Sequence, residues 1–187
     1  MQGKVKLLLI AIILSVLVLG CTTPAEKVVK SNDWVSVDYT GRYVNGTVFD
    51  TSNATIANQS GVYNPGRIYS PIQFQVDQPG MIQGFNDAVL GMKVNETKYN
   101  VTIPPEKAYG EYNQSYVIVT PLQNSNATDY KDYVGQVISF NGRDAKLLAI
   151  DAVNNTMTLD YNNPMAGKTL VFDITVRAIS TTPFPST

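Results

Sequence analysis

Apolar and polar residues alternate with period two through four stretches of this chain. In "WVSVDYTGRY", Val35, Val37 and Tyr39 share one face. In "PIQFQV", Ile72, Phe74 and Val76 do so against Gln73, Gln75 and Asp77. "TKYNVTI" directs Tyr99, Val101 and Ile103 inward and Lys98, Asn100 and Thr102 outward, and "KTLVFDITVRAI" buries Leu170, Phe172, Ile174 and Val176. Each reads as a strand with one buried face. "GFNDAVLGM" changes the period. Phe85, Ala88, Val89 and Met92 stand at i, i+3, i+4 and i+7, which predicts a short amphipathic helix ending near Gly91. One helix among antiparallel strands predicts an α+β fold in which a curved sheet wraps over the helix.

Between Asn113 and Asn162 the character shifts. "SYVIVT", "QVISF", "AKLLAIDAV" and "TMTLDY" read as four further strands. Asn141-Gly142 is a two-residue hairpin signal, and Asn154-Asn155 marks a second turn. These residues read as a small inserted β-rich domain, 113–162, carried by a discontinuous first domain, 32–112 with 163–180. Residues 22–31 read as a linker and 181–187 as a disordered tail. The stretch from Asn53 to Ser70, with Gly61, Pro65 and Gly66, is longer than a usual loop and reads either as a segment that shapes entry to a site or as a tolerated surface excursion.

The N-terminus is a targeting element. Lys4 and Lys6 precede an apolar run from Leu7 to Gly20, too short for a comfortable span and suited to a signal-peptide core. Gly20-Cys21 then resembles a lipoprotein signal, so that 1–21 would be the signal segment and Cys21 the lipidated residue. An uncleaved N-terminal anchor is the other reading. Both place the remainder outside the cytoplasm, anchored to the cell membrane. Glycosylation sequons begin at Asn45, Asn53, Asn58, Asn95, Asn100, Asn113, Asn126 and Asn154, more than composition predicts, and each is a candidate site in an exported chain.

Composition narrows the chemistry. The chain has no histidine and one cysteine, which excludes a Ser-His-Asp triad, a Cys-His pair, an HExxH zinc site and an internal disulfide. A net charge of −1 gives no basic footprint for nucleic acid. Carboxylates, tyrosines, backbone groups and apolar walls are what remain. Neither a cofactor nor a metal is expected.

The motifs "VDYTGRYVNGTVFDTS", "MIQGFNDAVLGMKVNETKYNVTIPPEKAYGEYN" and "AGKTLVFDITVRAI" resemble the opening, centre and last strand of FKBP-type peptidyl-prolyl isomerases. The resemblance covers nearly all of 32–180 apart from the insert. The position of that insert, just after "AYGEYN", resembles the SlyD-like and long archaeal branch, where the extra domain interrupts the flap and acts as a chaperone. The resemblance implies an antiparallel half-barrel wrapped on a short helix, with prolyl isomerase activity. His-rich tails of SlyD-like chains have no counterpart here, and Asn163 stands where such relatives often carry histidine.

Matched motif to motif, the resemblance implies a role for each site residue. Tyr39, Phe49 and Phe172 form aromatic walls, with Ile72 in a wall position often held by phenylalanine. Met81 and Ile82 line the rim and offer backbone groups. Phe85 is the floor, often tryptophan in the family. Asp50 is a buried carboxylate near the twisting amide, and the Tyr109 hydroxyl donates to the substrate carbonyl. Tyr112 packs at the hinge to the insert. The implied partners are proline-containing unfolded or nascent exported polypeptides, met by a monomer held at the membrane through its N-terminal lipid or anchor. A non-catalytic peptide-binding chaperone on the same fold is the alternative. A solute-binding lipoprotein is disfavoured by length, since such proteins need two large lobes.

Overall fold

The computed structural model describes residues 26–123 and 125–185. The expected signal segment, Cys21 and the end of the tail lie outside these residues. In chain order the elements are β1 (Trp34–Tyr43), β2 (Val48–Thr51), α1 (Ala54–Gln59), β3 (Ile72–Gln75), α2 (Gln83–Val89), β4 (Thr97–Ile103), β5 (Val117–Pro121), β6 (Val137–Phe140), β7 (Arg143–Asp151), β8 (Thr156–Asp160) and β9 (Leu170–Ser180).

Five strands form one antiparallel sheet in the order β2-β1-β9-β4, with β3 beside the first half of β1. β1 is long enough to share one edge between β3 and β2 because the sheet curves along it. Register shifts at Ser36/Val37 and Gly41/Arg42 mark where it bends. The concave face carries Val35, Val37, Tyr39, Leu170, Phe172, Ile174 and Val176, and α2 lies in the hollow with Phe85, Ala88, Val89 and Met92 all buried. Gly84 lets α2 approach β4: a Cβ there would overlap the Ile103 side chain.

Four departures from the sequence pattern have local causes. In β4 the register slips between Lys98 and Val101, with Asn100 at φ +55°. A one-residue bulge swaps the faces upstream of it. Tyr99, expected inside, is therefore 72% exposed. Lys98, expected outside, turns to donate to the Ala88 carbonyl at 2.7 Å, satisfying a C-terminal carbonyl of α2.

Residues 28 and 29, expected in a linker, belong to the fold. Val28 bridges Lys93, Val29 is buried, and its backbone exchanges hydrogen bonds with Gly91 and Met92. The surface excursion after Asn53 contains a helix, α1, capped by the Asn53 side chain. It buries only Ala57, so no apolar stripe announces it in the sequence. Lastly, Ala127–Tyr133 forms a 3-10 helix with a capping box at Asn126 and Asp129.

The second sheet, β5-β8-β7-β6, has its own small core of Leu122, Ala127, Ala145, Leu147, Met157 and Leu159. Its β6–β7 turn holds Asn141 and Gly142 at φ +50° and +74°, the left-handed pair that a tight hairpin needs. Two crossing segments join it to the first sheet. The Asn162 side chain spans both: its Oδ1 accepts from the Asn113 N–H and its Nδ2 donates to the Asn113 carbonyl, each at 2.9 Å. Tyr112 Oη donates to Asp160 Oδ2 at 3.1 Å. Burial would raise the Asp160 carboxyl, but hydrogen bonds from Asn162 and Tyr112 hold it below the usual carboxylate range.

Candidate functional site

A cavity of about 630 Å³ opens at the end of α2, between the curved sheet and the loop after β4. β1 contributes Tyr39, β2 contributes Phe49 and Asp50, β3 contributes Ile72 and β9 contributes Phe172. Met81, Ile82 and Phe85 come from the entry and first turn of α2, and Tyr109 comes from the turn after β4. These are the nine pocket residues picked from the sequence, and all of them line this one cavity, with Gly80, Gln83 and Ala108 beside them.

The floor is an aromatic cage. Phe85 meets Phe172 edge-to-face at 5.3 Å between centroids and Tyr39 at 6.1 Å. Phe172 also stands perpendicular to Phe49 at 5.7 Å. Such edge-to-face pairs place a positive ring edge on a negative ring face, so each ring fixes the tilt of the next. Gly41 makes room for them: a Cβ at that position would lie 2.7 Å from both Phe49 and Phe172 ring carbons.

The polar wall differs from expectation. Asp50 is not a buried carboxylate. About 37% of its side chain is exposed, and it forms an ion pair with Arg67. Tyr39 Oη donates to Asp50 Oδ2 at 2.5 Å and accepts from Arg67 Nη2 at 3.0 Å. The Thr51 backbone N–H donates to Asp50 Oδ1 at 2.8 Å, the same oxygen that takes Arg67 Nη1. Burial, followed by the hydrogen bond to Asp50, pushes the Tyr39 phenol up to about 12. Tyr39 thus stays protonated and keeps donating to Asp50 at physiological pH.

Arg67 escaped the sequence reading. It sits in the stretch treated as a surface excursion, after a turn at Pro65-Gly66, with no motif around it. The only signal was an isolated cation between tyrosines. The fold uses them to brace it: Tyr63 stacks on Tyr69 at 5.3 Å, and the Arg67 guanidinium lies over the Tyr69 ring.

Ile82 and Tyr109 each bring an unspent donor to the cavity lining. The Ile82 carbonyl accepts from Phe85 and Asn86 as α2 begins, so only its N–H remains for a ligand. Among the described residues that N–H has no protein partner, and neither has the Tyr109 hydroxyl. Tyr109 is 44% exposed. Its loop is held by Gly110, at φ +82°, which donates to Pro105 and accepts from Gly167. Gly167 sits at φ +72°, where a side chain is strained, and a Cβ there would press on Tyr112 at 3.1 Å.

A second cavity, of about 590 Å³, lies in the neck between the two sheets, with Tyr112, Val137, Lys146, Asp160 and Lys168 on its walls. Among the described residues no group of three or more acidic or cysteine side chains stands close enough to hold a metal ion, and no helix is long and apolar enough to cross a membrane.

A family model described as FKBP-type peptidyl-prolyl cis-trans isomerase matches residues 25–177. A short-type peptidyl-prolyl cis-trans isomerase of Methanocaldococcus jannaschii is 40% identical over 151 residues, covering 81% of this chain and 94% of that one. A probable FKBP-type 16 kDa peptidyl-prolyl cis-trans isomerase of Pseudomonas fluorescens is 29% identical over 157 residues, 81% of this chain and 92% of its own. The SlyD isomerase of Treponema pallidum is 26% identical over 147 residues, 78% and 74% of the two chains.

Proposed function

The chain belongs to the FKBP-type peptidyl-prolyl cis-trans isomerases, and from that premise we propose that the cavity over Phe85 is where it turns X-Pro bonds. The protein is an enzyme of that activity, acting on proline-containing polypeptides. Rotation about the peptide bond faces a barrier of about 18–20 kcal/mol. No covalent bond breaks, so no nucleophile is needed. In the twisted transition state amide resonance is lost and the carbonyl becomes less polar. An apolar cage favours that state over the planar amide.

The proline ring sits on Phe85 between Tyr39, Phe49 and Phe172, with Ile72 and Met81 at the rim. The Ile82 N–H and the Tyr109 hydroxyl donate to substrate carbonyls and hold the backbone in its twisted form. Asp50, its direction fixed by Arg67 and Tyr39, faces the twisting amide. Lowering the barrier by about 6–8 kcal/mol corresponds to roughly 10⁴- to 10⁶-fold in rate. The observation that carries this reading is the pair of unspent donors on the lining of an aromatic cage.

The second sheet adds the chaperone part of the proposal. Ile118, Val119, Tyr133, Val134 and Val137 are exposed there, apolar surface that an unfolded chain can cover. A protease-coupled assay on a prolyl tetrapeptide, with residues 26–187, tests the isomerase site directly. Replacing 113–162 by a short loop should leave that activity largely intact and sharply lower activity on a refolding protein limited by X-Pro isomerisation. Equal loss on both substrates overturns the division of labour.

The clients we propose are exported polypeptides, with the enzyme a monomer anchored at the outer face of the cell membrane. The apolar run before Gly20-Cys21 supports this. Cys21→Ser should release the protein from the membrane fraction or leave it unprocessed. Retention at full precursor length would replace the lipid anchor by an uncleaved helical one.

A further inference from the structure

The eight sequon asparagines are all exposed, yet their side chains are not equivalent. In four of them Oδ1 accepts from the backbone N–H of the sequon's own third residue. Asn45 accepts from Thr47 at 3.0 Å, Asn53 from Thr55 at 2.9 Å, Asn113 from Ser115 at 2.9 Å and Asn126 from Thr128 at 3.1 Å. Such an Asx turn points the carbonyl into the turn and sends the amide nitrogen outward. Among the described residues none of these four Nδ2 groups has a protein acceptor.

The other four are occupied or embedded. Asn154 Nδ2 donates to the Asp151 carboxylate at 2.7 Å. Asn100 lies within β4, and its Oδ1 accepts from the Arg42 guanidinium at 3.2 Å. Asn58 is inside α1. Asn95 is pinned in the turn before β4, at φ +65°, by its N–H to the Val176 carbonyl at 2.7 Å.

We propose that Asn45, Asn53, Asn113 and Asn126 are N-glycosylation sites and that Asn154 is not. The inference rests on the export reading, because the donor it needs is a lipid-phosphate-linked oligosaccharide on the outer side of the membrane. In the transfer, catalysed by a membrane transferase, Nδ2 attacks the anomeric carbon of that donor. The new C–N bond forms as the anomeric C–O bond breaks. The lipid phosphate leaves with the electron pair, and one Nδ2 proton passes to solvent. An outward Nδ2 meets that requirement. One already given to a carboxylate must first break a charge-assisted bond, roughly twice as strong as a neutral one.

The placement also leaves function open. None of the four asparagines lines the isomerase cavity or the neck cavity. Asn45 stands in the β1–β2 turn, Asn53 at the start of α1, Asn126 before the 3-10 helix of the second sheet and Asn113 on the outside of the neck. Glycans there cover the enzyme with hydrophilic bulk while the pocket stays accessible.

The test is glycopeptide mapping by mass spectrometry on the protein purified from its own organism, beside protease shaving of intact cells. The expected result is a shaved protein with sugar on the four asparagines and none on Asn154. Thr47→Ala, Thr55→Ala, Ser115→Ala and Thr128→Ala each keep the backbone N–H, and so the turn, but destroy the sequon. Each should remove one glycan and leave tetrapeptide turnover within about two-fold, a margin of roughly 0.4 kcal/mol. A shaved protein with the four sites bare, or with Asn154 occupied in their place, overturns the inference while export stands. A protein protected from shaving overturns export and the inference together.

Discussion

The two sheets of this protein are built to different standards of closure. Among the described residues, fourteen apolar side chains are buried in the core of the first and six in that of the second. The first core includes a helix and interlocked aromatic rings. The second is capped by a 3-10 helix that buries only Ala127, and much of its apolar surface remains open. A cavity that distinguishes a twisted amide from a planar one needs walls that do not move. A surface that takes up unfolded chains needs apolar area left uncovered. The difference in burial therefore matches the difference in proposed task.

Phe85→Ala gives the largest expected effect. It removes the ring that joins α2, the sheet and the pocket floor, and should cost about 3–5 kcal/mol of stability. Thermal melts and the tetrapeptide assay should fall together. If activity vanishes while the melt is unchanged, Phe85 contacts substrate without supporting the fold.

Leu147→Ala strikes the smaller core and should cost about 2–3 kcal/mol, the low end for a buried leucine in a thin layer that can collapse. Hydrogen exchange should speed up across 117–160 and leave the first sheet protected. Uniform acceleration over both sheets would show that the two fold as one cooperative unit, and the comparison would fail.

Tyr109→Phe removes one hydroxyl that has no protein partner among the described residues. Stability should not change. Peptide affinity should weaken by about 0.5–1.5 kcal/mol, the net value of a neutral hydrogen bond, or about two- to twelve-fold. A melting shift with unchanged titration would make Tyr109 a structural residue.

The smallest effect is in acid. Arg42 holds Asp173 by two hydrogen bonds, at 2.8 and 2.9 Å, and keeps its carboxyl below the usual range. A depressed carboxyl stabilises the fold fully above its ordinary value of about 3.9, and that contribution disappears as pH falls through the lower folded value. Melting temperature should thus decline below about pH 4, and Asp173→Asn should flatten that limb. Because the pair ties β9 to β1 within the first sheet, exchange protection in the second sheet should not follow it. If it does, the neck transmits more than the hydrogen bonds at Asn113 and Asn162 suggest.

Much of this was legible along the chain because the signals are local. Alternation marked the buried faces of β1 and β9, and a period of 3.6 marked α2. Asn141-Gly142 announced its hairpin through backbone sterics alone. The nine pocket residues lie in motifs visible along the chain, and the fold gathers them because the concave face of the curved sheet, the start of α2 and the turn after β4 border one hollow. Absent histidine and a single cysteine excluded whole classes of chemistry before any fold was considered.

Tertiary structure decided the rest. Nothing near Asn100 in sequence says that β4 will slip by one residue against β9 and turn Tyr99 outward. Val28 and Val29 are ordinary linker until Lys93, Met92 and Gly91 arrive to bond them. Arg67 and Asp50 are 17 positions apart, joined by a helix and loop without a motif, and their pairing decides whether the carboxylate is buried and alone or exposed and oriented. Alternation, helical period and turn chemistry depend on neighbours within a few residues, so the sequence carries them openly. Bulges, straps and ion pairs depend on which distant segment comes alongside, and that is settled only when the chain closes on itself.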